Sequence, residues 1–164
     1  MRQQRGKRLT AILVAAASAC AVAGFGAMMT DLGPWYVALR KPSWQPPDWA
    51  FGPAWTLIFA LAAAAGYYAW RAMPPLRRWG LIVGLFAANG AFNVLWSALF
   101  FHLHRPDWAL GEVAALWLSV LALIIVLAPV SRLASWLMAP YLLWVSFAAF
   151  LNFTVVQLNA PFGG

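Results

Sequence analysis

Four tryptophans and five prolines fall between Gly33 and Trp55: Trp35, Trp44, Trp49 and Trp55 among Pro34, Pro42, Pro46, Pro47 and Pro53. An indole is large and flat and carries one N–H donor. It can stack on a planar ligand or sit where apolar and wet surroundings meet. Proline fixes φ and narrows the unfolded ensemble, so this segment is stiff. Stiff aromatic walls lose little entropy when a flat molecule stacks on them. The same residues would also serve as an aromatic belt at a membrane interface, and composition alone leaves pocket and belt both open.

A second set of residues offers polar chemistry in apolar surroundings. Asn89 and Asn93 are four apart, and Asn152 and Asn159 are seven apart, so each pair shares a helical face. Amides are costly to present to lipid and should point inward, either bonding between helices or touching a ligand. Glu112 is the only formally charged residue within the apolar stretches, close enough to a helix end to snorkel toward water. His102 and His104 are two apart in a loop with no further ligands nearby, which suits solvent or headgroups better than a metal. Cys20 is alone in an apolar run, so no disulfide can form within the chain, and it reads as a small buried residue. No paired carboxylates, metal cluster or nucleophile–base set is evident. No catalytic residue, metal or required cofactor is therefore expected.

The elements that must hold these residues are membrane helices. Of 164 residues, 64% are hydrophobic and only 9% charged, too few charges to cover a soluble domain of this size. Five apolar stretches, roughly 9–29, 51–70, 79–101, 109–128 and 133–158, are each long enough to cross a hydrocarbon core of about 30 Å. They are too uniformly apolar for barrel strands, which alternate. Helices satisfy their own backbone groups in lipid. The expected fold is an all-α membrane protein, a single five-helix bundle, with residues 30–50 as a Trp/Pro-rich loop over one end. The N-terminal run has the look of a secretory signal, and Ala17-Ser18-Ala19-Cys20 hints at a cleavage box. However, the apolar run continues to Met29, which favours a retained span.

Charge orients the bundle. Arg2, Arg5, Lys7, Arg8, Arg71, Arg77, Arg78 and Arg132 lie on one side, eight against the three of Arg40, Lys41 and Arg105 on the other. The positive-inside rule then places the N-terminus in the cytoplasm, in a bacterial inner membrane. The net charge of +7 is spread between apolar segments, which excludes a nucleic-acid partner and leaves the bilayer as the expected one. Pro129 should stop the fourth helix, and Pro140 should kink the fifth or mark an early turn within it. The short loops at Met73–Pro75 and Arg105–Pro106 predict antiparallel neighbours. Gly80, Gly84 and Ala88 repeat at four-residue spacing, which permits close approach of another helix, of this chain or of a second copy.

Three motifs in order resemble one family. The first is Trp35-Tyr36, Leu39-Arg40-Lys41-Pro42-Ser43-Trp44, Pro46-Pro47, Trp49, Phe51, Pro53 and Trp55-Thr56. The second is Phe92-Asn93, Leu95-Trp96-Ser97 and Phe100-Phe101. The third is Pro140-Tyr141-Leu142, Trp144, Leu151-Asn152-Phe153 and Leu158-Asn159. Together they look like the translocator protein family, also called tryptophan-rich sensory protein or peripheral-type benzodiazepine receptor. The resemblance covers nearly the whole chain. It implies a five-helix bundle, usually a homodimer, with a ligand cavity under the first loop. The ligands it implies are tetrapyrroles such as protoporphyrin IX or haem, sterols in animals, and synthetic isoquinoline carboxamides. Carried over, the ligand contacts are Trp35, Trp44, Trp49, Trp55, Asn93, Trp144, Asn152 and Phe153, and the family favours Gly80, Gly84 and Ala88 as the dimer contact. Phe59 stands where the family often has Tyr, and Ser43 where some members have a second Trp. Phe153 and Gln157 break the expected sterol motif.

The implied function is that of a sensory or regulatory porphyrin-binding membrane protein, with Arg40 and Lys41 meeting the propionates. One alternative is a light-dependent porphyrin-degrading enzyme that works through indoles, for which Trp55 and Trp144 are the best positions. Another is a transporter, although no inverted repeat or broken-helix pair marks the chain as a carrier.

Overall fold

The computed structural model describes residues 2–162, with side chains from residue 6 onward. The chain is an all-α membrane protein. Its helices are α1 (Arg2–Met29), α2 (Pro34–Ala38), α3 (Asp48–Arg71), α4 (Leu76–Ser97), α5 (Pro106–Leu127), α6 (Arg132–Leu137) and α7 (Ala139–Asn159). A five-residue π turn, Ala98–His102, continues α4. Five helical stretches are long and apolar enough to cross a membrane: Gly6–Met29, Asp48–Arg71, Leu76–His102, Pro106–Leu127 and Arg132–Asn159.

Each span begins before its apolar run, because prolines and charges start the helices. Pro47 and Pro75 immediately precede α3 and α4, and Pro106 opens α5. Proline suits the first turn, where its missing N–H has no helical partner anyway. Asp48 and Asp107 occupy first turns and favour the positive helix end. Ser131 caps α6 by accepting from the Ala134 N–H at 3.2 Å. Pro140 marks an early turn rather than a kink within one helix, since the fifth span breaks at Met138 into α6 and α7.

The spans form a ring. α1 packs on α3 and α4, α4 packs most extensively on α5, α5 on α7 and α6, and α6 on α3. The four residues between α3 and α4 therefore do not make them close neighbours; α1 packs on both. Small residues permit this placement. A Cβ on Gly90 of α4 would lie 2.9 Å from Val22 of α1, so glycine is what lets the two helices meet.

Lipid is as apolar as a protein core, so close packing and hydrogen bonds hold such a bundle. Asn89 donates to Ser119 at 2.8 Å, Trp117 to Ser146 at 2.9 Å, and Ser135 to the Ile124 carbonyl at 2.8 Å. The main core, with Ile58, Ile82, Leu116, Leu123, Leu127, Met138 and Val145, fills the bundle away from the 30–50 loop. Under that loop the packing opens. Cys20 is exposed rather than buried, because α1 turns much of its surface outward.

Candidate functional site

A cavity of about 600 Å³ occupies the loop end of the bundle. α1 contributes Ala23, Gly26 and Ala27, and Thr30 follows just past its end; their small side chains leave room. α3 contributes Trp49, Phe51, Gly52, Trp55, Thr56 and Phe59. α4 and its π turn contribute Asn93, Trp96, Ser97, Phe100 and Phe101, and α7 contributes Trp144, Ala148, Leu151, Asn152 and Val155. Two aromatic groups shape the walls. Trp55 stacks on Phe59 (5.4 Å) and meets Tyr141 (6.0 Å) and Trp144 (6.2 Å) edge-on. Trp96 stacks on Phe100 at 5.2 Å and meets Phe101 edge-on. Edge-on and offset rings match the aromatic quadrupole and fix each wall's orientation.

The roof is a polar knot. The Tyr36 hydroxyl donates to Asp48 Oδ1 at 2.7 Å, and Gln45 Nε2 donates to the same oxygen at 3.2 Å. Lys41 Nζ lies 3.8 Å from Asp48 Oδ2 and 3.5 Å from the Tyr36 ring centroid, a cation–π contact. All four residues line the cavity. Burial, and then the bond to Asp48 and its charge, push the Tyr36 phenol well above the ordinary tyrosine range. A second tie lies at the loop edge. The Asn159 side chain accepts from the Arg40 N–H and donates to the Arg40 carbonyl, both at 2.8 Å. It brackets one loop residue as a sheet neighbour would.

The structure brings Trp49, Trp55, Asn93, Trp144, Asn152 and Lys41 together around the cavity. Trp49 is its outermost wall, 76% exposed. Asn93 donates to the Tyr141 hydroxyl at 3.2 Å. Asn152 doubles as a brace. In the amide orientation that satisfies both groups, it donates to the Pro106 carbonyl at 3.0 Å and accepts from the Leu110 N–H at 3.1 Å. The Trp144 indole N–H is buried with no acceptor among the described residues.

Other expected contacts lie elsewhere. Trp35 stacks on His104 at 4.2 Å and sits outside the cavity, because α2 turns its ring toward the π turn's outer side. Trp44 lies over the outside of α7, stacked on Phe150 at 5.2 Å. Phe153, 47% exposed, faces outward because its neighbour Asn152 takes the inward position. Arg40 is held by its backbone, and its side chain is not in the lining. Gly80 and Gly84 face open space, with nothing of this chain near a Cβ at either position. Ala88 turns half inward, and the exposed stripe continues instead through Ala87 and Ala91. That is the geometry of a 3.6-residue helix, on which four-residue steps drift around the surface.

Sequence reasoning missed Gln45 and Asp48 of the roof and Ala148 of the wall. Asp48 gave a partial signal, as an acid at a helix start beside Pro47; its role depends on Tyr36 and Lys41 folding back over it.

The chain is similar in sequence to known proteins along most of its length. Residues 11–158 match the model of the TspO/MBR family. The chain is 42% identical over 130 residues to the tryptophan-rich protein TspO of Chlorobaculum tepidum, covering 76% of this chain and 79% of that one. It is 39% identical over 143 residues to protein CrtK of Rhodobacter capsulatus, covering 86% and 88%. It is 31% identical over 131 residues to the translocator protein of Homo sapiens, covering 79% and 78%. With a family match that spans nearly all of the five helices and the loop between the first two, the chain belongs to the TspO/MBR family of multi-pass membrane proteins.

Proposed function

We propose that this protein binds a planar tetrapyrrole in the aromatic cavity and acts as a membrane sensor or regulator. The observation that carries this reading is the cavity itself: about 600 Å³, walled by indole and phenyl rings beneath a stiff loop. Its size lies within the range of small-molecule sites, and its polar groups are few and convergent. Lys41 sits at the roof to meet a propionate, and the buried Trp144 N–H offers a donor that an acceptor on the ligand would satisfy. The haem-ligating side chain in the lining, the Tyr36 phenol, already donates to Asp48, so the lining favours a metal-free porphyrin over haem.

The test is a titration with protoporphyrin IX read by tryptophan quenching. Saturable quenching, weakened several-fold in Trp144→Phe and unchanged in Trp35→Phe, is expected. Non-saturable quenching, or equal loss in both variants, would overturn the cavity assignment. The Trp55 ring, in contact with both Tyr141 and Trp144, also suits light-driven oxidation of a bound porphyrin. Product that forms in light with wild type but not with Trp55→Phe would support that reading. Dimerisation through the exposed Gly80, Gly84, Ala87 and Ala91 stripe is part of the same proposal, since close helix approach needs such a surface.

A further inference from the structure

The interface of α4, α5 and α7 holds a buried polar seam beneath the ligand cavity. Asn89 donates to Ser119, and Ser119 donates to the Leu116 carbonyl at 2.6 Å. One turn above Asn89, Asn93 donates to Tyr141, whose side chain is almost wholly buried and whose own O–H has no acceptor among the described residues. Glu112 lies seven residues before Ser119, on the same face of α5. Both of its carboxylate oxygens are buried, and neither has a hydrogen-bond partner among the described residues.

An ionised carboxylate in this position needs a cation, and among the described residues of α5 and the elements packed on it none is free to serve. Arg105 immediately precedes α5, but its guanidinium is committed. Nε donates to Asp107 Oδ1 at 2.8 Å, Nη2 pairs with the other oxygen, and the group lies 4.1 Å from the Trp108 ring centroid. Of the elements packed on α5, α4 offers the amides Asn89 and Asn93, with Arg77 and Arg78 at its far end. The π turn offers exposed His102, and α6 offers exposed Arg132 at the far end. α7 offers Tyr141, which is tied to α4 through Asn93. A buried carboxyl with neither cation nor donor keeps its proton.

We propose that Glu112 is a proton-binding site, neutral at rest, whose ionisation is felt in the cavity through Tyr141 and Asn93. Loss of its proton to water would leave a negative charge beneath the cavity floor. The unmatched Tyr141 O–H would turn toward that charge, and with it the Asn93 amide, which lines the cavity. A dicarboxylic ligand would then bind less tightly. This coupling rests on the tetrapyrrole reading of the cavity; the proton site does not.

Glu112 is the only glutamate in the chain, so carboxyl-13C glutamate reports it without any substitution. Infrared spectra of the labelled full-length protein in lipid nanodiscs, without ligand, should show the carbonyl stretch of a protonated acid at neutral pH. The band should shift on deuteration and be missing from Glu112→Gln. A carboxylate signal at neutral pH overturns the proton site. Protoporphyrin IX affinity, followed across the pH range in which the label ionises, should fall about fivefold or more in wild type and stay flat in Glu112→Gln. His102 and His104 are present in both proteins and cancel in that comparison. Parallel pH profiles overturn the coupling. Absence of porphyrin binding at any pH overturns both the cavity reading and the coupling, while the infrared result still decides the proton site.

Discussion

Replacing Asn159 with alanine removes the bracket that holds the loop to the end of α7. Two hydrogen bonds to one residue are lost, from the Arg40 N–H and to the Arg40 carbonyl, both at 2.8 Å and spanning 119 positions in the chain. Each is worth about 0.5–1.5 kcal/mol net, so the closed loop loses about 1–3 kcal/mol. That raises the open-to-closed ratio about five- to 150-fold. The bundle itself should be little affected, because the bracket lies at the loop edge, away from the main core. Hydrogen exchange of the Arg40 amide should therefore accelerate by that factor, while the Asn89 and Val120 amides in mid-span keep their protection. Asn159→Asp retains an acceptor for the Arg40 N–H but sets an oxygen against the Arg40 carbonyl, so it should recover only part of the protection. Unchanged exchange at Arg40 in Asn159→Ala would refute the bracket as the loop's tether. Equal acceleration at Asn89 and Val120 would show a general loosening instead.

Three further outcomes follow from the roof and the helix packing. The Tyr36 phenol is held protonated by burial and by Asp48, so its raised value stabilises the fold fully below the unfolded tyrosine value of about 10. That contribution is lost as pH rises above it; the alkaline decline in a thermal-melt series should be shallower in Tyr36→Phe than in wild type. Lys41→Met should weaken protoporphyrin IX binding roughly three- to tenfold and leave its dimethyl ester unaffected, as measured by paired quenching titrations; equal loss for both would place the Lys41 effect in the roof's packing rather than in charge. Gly90→Leu should destabilise the bundle by about 1–3 kcal/mol because α1 must move from Val22, a shift visible in denaturation in detergent.

The sequence carries the spans clearly because hydrocarbon demands long uninterrupted apolar runs, and these survive without knowledge of any contact. It hides the ring order, since the linker Met73–Pro75 is short enough to suggest neighbours while α1 packs against both helices it joins. The Trp-rich segment is legible as a unit but not residue by residue. Trp49 and Trp55 face the cavity from α3, whereas Trp35 and Trp44 are carried outside by the backbone path of α2 and the loop. No local pattern separates them, because irregular backbone has no period to read. The spacing of the paired asparagines shows which share a face but not what each does: Asn152 braces α5, whereas Asn159 holds the loop. Glu112 sits where snorkelling toward water is expected, but its oxygens are turned inward, which only the packing around α5 reveals.

The π turn at the end of α4 can be viewed as a reading-frame shift written in three dimensions. Its wide loop, closed by the Leu103 N–H on the Ala98 carbonyl at 2.8 Å, accommodates one residue more than a regular turn. Adjacent Phe100 and Phe101 both reach the cavity wall because the backbone spreads there. Deleting one residue from Ala98–His102 would restore an ordinary helix and turn everything beyond it by about 100° relative to the bundle. His104 would leave Trp35, and the Arg105–Asp107 pair that opens α5 would lose its aim. The angular phase of the two most extensively packed helices thus depends on a single surplus residue.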